Sequence, residues 1–165
     1  MSDYQVRQAR TSDLDTIVLF NRELAWESEG RKLDDTVLRV GVAALLADPN
    51  KGIYFVAEHH GQVVGQLLIT YEWSDWRNGW FWWLQSVYVH PDHRQRGVFR
   101  RLVNHVLELA RTGNRQVVGL RLYVESSNYL AQEVYHRLGF QPTGYKVLEW
   151  IPEQLAACKW PAMLL

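Results

Sequence analysis

The chain has 165 residues, 47% of them hydrophobic and 22% charged, which suits one globular domain whose core needs no metal or disulfide staple. Its 18 basic and 18 acidic residues cancel, so a general affinity for nucleic acid or an anionic membrane is not expected. Cys158 is the single cysteine; an internal disulfide and a cysteine-rich zinc site are excluded, and no apolar run reaches the length of a membrane span. The first ten residues are polar and mixed in charge, unlike a secretory leader. The expectation is a cytoplasmic chain folded as one domain over residues 1–165.

Residues 4–10 alternate polar and apolar side chains and predict a first strand. Thr11 or Ser12 can cap a helix with Asp13 and Asp15 near its positive end and an apolar stripe of Leu14, Ile17, Val18 and Leu24. A second helix follows Asp34, carries Val37, Leu38, Val42, Leu45 and Leu46, and stops at Asp48-Pro49-Asn50. Residues 53–58 and 63–71 read as a hairpin around His59-His60-Gly61-Gln62. A third, aromatic-rich run, Gly79–Val89, ends at His90-Pro91-Asp92. From Gly97 to about Arg111 the period turns helical, with Phe99, Leu102, Val103, Val106 and Ala110 on one face. Residues 117–124 return to a β-branched strand pattern. Ser127 or Asn128 then caps a short helix that Gly139 ends, and residues 145–150 read as a last strand. This order predicts an α/β (mixed α+β) fold with a mixed sheet and helices on both faces.

The segment from Gln85 to Leu102 carries the most chemistry. A strand runs into a short basic loop with one glycine and then into an amphipathic helix. The first turn of a helix presents unpartnered N–H groups at the positive end of its dipole. Gly97 allows close backbone approach, and Arg94, Arg96 and Arg100 add cationic donors. These residues suit a phosphate or pyrophosphate; the alternative is a solvated basic helix start. The loop is neither a Walker A motif nor a dinucleotide fingerprint.

Arg94-Gln-Arg-Gly97-Val-Phe99 resembles the Arg/Gln-x-x-Gly-x-Gly/Ala motif of the GNAT superfamily of acetyl-CoA-dependent N-acetyltransferases, with Phe99 departing from it. Asn128, Ala131, Tyr135, Gly139 and Phe140 match that family's second motif at its usual spacing. The resemblance covers essentially the whole chain. It implies a central, mostly antiparallel mixed sheet of six or seven strands and acetyl-CoA as co-substrate. It further implies that the backbone of Val87, Tyr88 and Val89 pairs with the pantetheine arm. The main chain of Gln95, Arg96, Gly97, Val98, Phe99 and Arg100, with Arg94, would hold the pyrophosphate. Asn128 would bind the cofactor arm and Tyr135 would protonate the leaving thiolate. Read from the residues alone, Tyr135 is equally a core tyrosine on the Ala131 face, and Asn128 a helix cap.

Acetyl transfer to an amine requires that the amine lose a proton, since an alkylamine is mostly charged at neutral pH. Many family members place a glutamate on the fourth strand; here that position is Gln85, which is no base. Candidate carboxylates lie in two places, Glu72 and Asp75 in the Trp-rich segment and Glu23, Glu27 and Glu29 around the end of the first helix, with Glu72 and Glu27 the favoured pair. Carboxylates flanked by indoles suit a cationic amine, although the tryptophans between Trp73 and Trp83 can equally pack a hairpin across strands. His90 and His93 lack a third ligand, so no metal is expected. The apolar tail, residues 152–165, docks either on its own domain or on a second subunit, so a homodimer stays open. The reading is an N-acetyltransferase acting on a small cationic amine in a ternary complex. Its rivals are a non-catalytic acyl-CoA-binding module and a protein-interaction module of the same fold.

Overall fold

Tyr4–Gln8 (β1), Ile53–His59 (β2), Gln62–Ser74 (β3), Gly79–Val89 (β4) and Val117–Leu122 (β5) form one five-stranded sheet in the order β1-β2-β3-β4-β5. The first four strands pair antiparallel; β5 runs parallel to β4. The computed structural model describes residues 4–150. The chain divides into two compact units, residues 1–123 and 124–165. The apolar tail and Cys158 lie outside the described residues.

In the first unit the β2–β3 hairpin turns at His60 and Gly61, both with positive φ (50° and 79°), the geometry that matches the twist of the flanking strands. Helices cover both faces of the sheet. Ile17 and Val18 of α1 (Leu14–Glu29) and Val42 of α2 (Asp35–Ala47) form a core with Tyr54, Val56 and Leu68. The two-residue period sends Phe55 to the other face, where its ring meets His105 of α3 (Val98–Thr112) at 5.1 Å. Val98, Leu102, Val103 and Val106 bury the inner side of α3. This helix is the crossover that a parallel β4–β5 pair needs.

The start of α1 differs from expectation. Thr11–Asp13 is a single 3-10 turn, and the helix proper opens at Leu14. The Asp13 carboxylate is taken by Arg7, at 2.8 and 3.0 Å, and by the Arg10 amide at 2.7 Å. Burial alone would push this carboxyl up, but those bonds and the charge of Arg7 outweigh it and hold it below the usual range.

The second unit contains α4 (Tyr129–Arg137), capped by Asn128, whose Oδ1 accepts from the Ala131 amide at 3.0 Å. The strand expected over residues 145–150 is not formed, so the sheet has five strands among the described residues and not six or seven. The segment is rich in strand-favouring residues, but a strand exists only against a hydrogen-bonded neighbour. Tyr145 and Leu148 stand exposed at 81% and 91%.

Candidate active site

The edge of β4 is the first feature of the site. Gln66 faces Tyr88 and Leu68 faces Gln85, so Ser86 and Val87 together oppose the single Leu67. This is a β-bulge on β4, and Ser86 holds a left-handed φ of 48° within it. The pairing of β4 with β5 ends at Leu84 and Leu122, whereas β4 continues to Val89. The strands thus part near the bulge, and residues 85–89 continue beyond the last pairing with β5. Val87, Tyr88 and Val89 all belong to this stretch.

β4 leads directly into the basic loop. After the 3-10 turn Pro91–His93, Gln95 and Gly97 both take left-handed φ values, 60° and 80°, and Gly97 is the N-cap of α3. A Cβ built on Gly97 meets no atom within 4 Å, so the space before the helix is open. Gly97 has no side chain to cap the first N–H groups of α3. Gln95, Arg96 and Arg100 are exposed around this opening, while the Val98 side chain is core at 1% exposure, leaving only its amide for a ligand. A Cβ at Gly65 would press on the Tyr88 carbonyl and Val98 Cγ1, both at 3.1 Å. Glycine there lets α3 begin close against the end of β4.

Arg94 and Glu27, far apart in sequence, come together. Arg94 Nη2 donates to Glu27 Oε2 at 2.7 Å, and its Nε donates to the Val89 carbonyl at 2.9 Å. Its guanidinium lies 5.5 Å from the Tyr88 ring centre, and the Tyr88 hydroxyl donates to Glu27 Oε1 at 3.3 Å. Burial, with Glu27 adding to it, pushes the Tyr88 phenol up, so it stays a donor.

Glu72 is held elsewhere on the sheet. Trp83 Nε1 donates to its Oε2 at 2.6 Å and Arg121 Nη1 to its Oε1 at 2.7 Å. Trp83 stacks on Tyr123 at 4.4 Å, and the Arg121 guanidinium lies 3.7 Å from the Phe81 ring centre. Gln85 Nε2 donates to Thr70 Oγ1 at 2.6 Å. Thr70 and Glu72 share a face of β3, so the glutamine and this carboxylate stand on one side of the sheet. The aromatic packing of the hairpin is also present: Trp73 meets Trp80 edge-on at 5.1 Å. Sequence reasoning missed Arg121; its only signal is a lone cation inside an apolar strand.

Asn128 and Tyr135 belong to the second unit. Burial pushes the Tyr135 phenol up, so it holds its proton at neutral pH, and its ring meets Phe140 edge-on at 5.8 Å. Asn128 performs the capping role described above. The Phe140 amide donates to the Tyr135 carbonyl at 3.0 Å, and Gly139 takes the left-handed φ of 91° that turns the chain there. Among the described residues no group of three or more His, Cys, Asp or Glu side chains could hold a metal ion. No helix among them is long and apolar enough to cross a membrane.

A β4 edge beyond β5, a bulge and a basic loop at a helix N-terminus form a surface suited to an extended, anionic ligand. Residues 18–140 match the model of the GNAT acetyltransferase family, and the chain belongs to that family. It is an acyltransferase with acetyl-CoA as co-substrate. It is 31% identical over 153 residues to the thialysine N-epsilon-acetyltransferase of Bos taurus, covering 86% of each chain. An uncharacterized N-acetyltransferase of Methanocaldococcus jannaschii is 34% identical over 89 residues; the match covers 53% of this chain and 38% of that longer protein. Among solved structures, a possible acetyltransferase from Clostridium difficile superposes with a TM-score of 0.84 at 45% identity, covering 90% of this chain and 97% of that one.

Proposed function

We propose that the protein moves an acetyl group from acetyl-CoA to the primary amine of a small cationic acceptor, by direct attack while both are bound. The observation that carries this reading is the parting of β4 from β5 at Ser86, which leaves a strand edge running straight into the Arg94–Gly97 loop. An extended pantetheine arm adds to such an edge as another strand would, and the pyrophosphate suits the open start of α3. Asn128 is the side chain that the family's second motif assigns to the arm.

The chemistry asks three things of the chain. Backbone N–H groups of Val87 to Val89 polarise the thioester carbonyl. The amine nitrogen forms the new bond to the carbonyl carbon as the carbon–sulfur bond breaks. Tyr135 gives its proton to the departing sulfur. The amine's own proton leaves to a carboxylate through water, since Gln85 cannot take it. Glu72 and Glu27 are the candidates. Each is engaged by an arginine, which orients it and offsets part of its charge. A cationic acceptor is further supported by the bovine relative, whose name gives the ε-nitrogen of thialysine as the acetylated atom.

The test is calorimetric titration of acetyl-CoA, followed by thiol release in the presence of a panel of primary amines including lysine analogues. Expected are micromolar binding and turnover with at least one cationic amine. Tyr135→Phe should keep the affinity and lower kcat by about 100-fold. A folded protein that binds no acetyl-CoA would sink the proposal; binding without transfer to any amine would favour a sensing module.

A further inference from the structure

Gln66 sits on β3 opposite Tyr88, next to the bulge, and is wholly buried. Its Nε2 donates twice, to the Ser86 carbonyl and to Asn21 Oδ1, each at 3.2 Å. Asn21, on the buried side of α1, donates from Nδ2 to the Tyr54 hydroxyl at 3.0 Å. The Ser86 side chain in turn hydrogen-bonds Tyr54. The result is a closed ring of hydrogen bonds through α1, β2, β3 and β4, with Ser86 at both ends.

The ring has a fixed sense. A carbonyl only accepts, so Gln66 must turn its amide nitrogen to Ser86. Its second N–H then meets the Asn21 oxygen, which commits the Asn21 nitrogen to Tyr54. Gln66 Oε1 has no hydrogen-bond partner among the described residues, a desolvation cost that a leucine would not incur. Burial therefore does not explain a glutamine at this point; the bond to Ser86 does. Ser86 is a non-glycine residue at φ 48°, a conformation that persists only when its surroundings hold it.

We infer that Gln66 is a positioning residue for acetyl transfer: through this ring it fixes the Ser86–Val87 peptide plane and so aims the Val87 N–H. The peptide is planar and trans, so a carbonyl held on the Gln66 side sets the Val87 N–H on the opposite side. Val87 begins the stretch of β4 whose amides face the thioester under the acetyltransferase reading, on which this inference rests. A donor aimed at the developing charge acts on kcat, whereas strand pairing to the pantetheine arm acts on affinity.

The experiment compares wild type, Gln66→Met and Tyr54→Phe for acetyl-CoA affinity by calorimetry, kcat by thiol release, and hydrogen exchange of the Val87 amide in the free protein. Expected are an acetyl-CoA Kd within about twofold of wild type, a kcat lower by about tenfold in Gln66→Met and about threefold in Tyr54→Phe, and faster Val87 exchange in both. A kcat within twofold of wild type in both variants overturns the inference. So does a loss of kcat matched by an equal loss of affinity or by the unfolded fraction, which marks a structural role only. If Gln66→Met does not fold, Tyr54→Phe decides by the same criteria. A wild type that neither binds acetyl-CoA nor transfers overturns the underlying reading and this inference together, and is seen before any variant is compared.

Discussion

Gly97 shows how one residue links backbone conformation to ligand access. Its φ of 80° is left-handed, and the space a Cβ would enter is open. Alanine there meets no clash, so its cost is the strained φ, about 1–2 kcal/mol. The added methyl also intrudes where the pyrophosphate is proposed to lie. Gly97→Ala should therefore lower the stability modestly and weaken acetyl-CoA by about tenfold or more, equivalent to about 1.4 kcal/mol. Denaturant melts and calorimetry on the same preparation separate the two effects; unchanged affinity would contradict the placement of the phosphates. The pair between Glu27 and Arg94 is different in kind. Both side chains are more than a third exposed, so the bond adds little stability. Its consequence is positional, since it ties the end of α1 to the Arg94–Gly97 loop.

At the scale of elements, α3 against the sheet sets a pH dependence. His105 packs edge-on against Phe55, and burial pushes its imidazole below its ordinary value. His93, bonded to the Tyr4 hydroxyl at 2.9 Å, is pushed the same way by burial and then by the neighbouring His59, Arg96 and His90. The folded chain thus binds these protons less readily than the unfolded chain. Their contribution is complete above the unfolded imidazole pKa of about 6.5 and is lost as pH falls below it. The melting temperature should drop between pH 7 and pH 5. His105→Gln, which stays neutral, should flatten that slope, and what remains belongs largely to His93. An identical slope in the variant would remove His105 as a contributor.

For the whole molecule, the fold presents an edge and a cradle that an acyl-CoA can complete. A ligand that binds only the folded state raises stability by mass action, by about 2.7 kcal/mol at a hundredfold excess over Kd. Acetyl-CoA should raise the melting temperature in a concentration-dependent way, and acetate should not. Equal melting temperatures with and without acetyl-CoA would argue against the proposed site as a whole.

Much of this was legible in the chain. Hydrophobic patterning located the five strands and four α-helices of the described residues, because a helix and a strand need different spacings to bury one face. The Arg94–Gly97 loop and the Asn128–Phe140 segment were legible because both rest on local chain chemistry: a glycine at left-handed φ, an Asn cap, a helix start. Residues 145–150 were misread because a strand depends on a neighbour that no local pattern supplies. Tertiary structure alone decided that Glu27 meets Arg94, that Glu72 is held by Trp83 and Arg121, and that Gln66 reaches the Ser86 carbonyl. These contacts join residues 67, 11, 49 and 20 positions apart, and only helix packing, sheet order and strand register bring them together. The sequence by itself determined the family and located the basic loop that is proposed to receive phosphate. The parting of β4 from β5 belongs to the folded sheet, because a bulge is a mismatch of register between two strands and has no meaning in one strand alone.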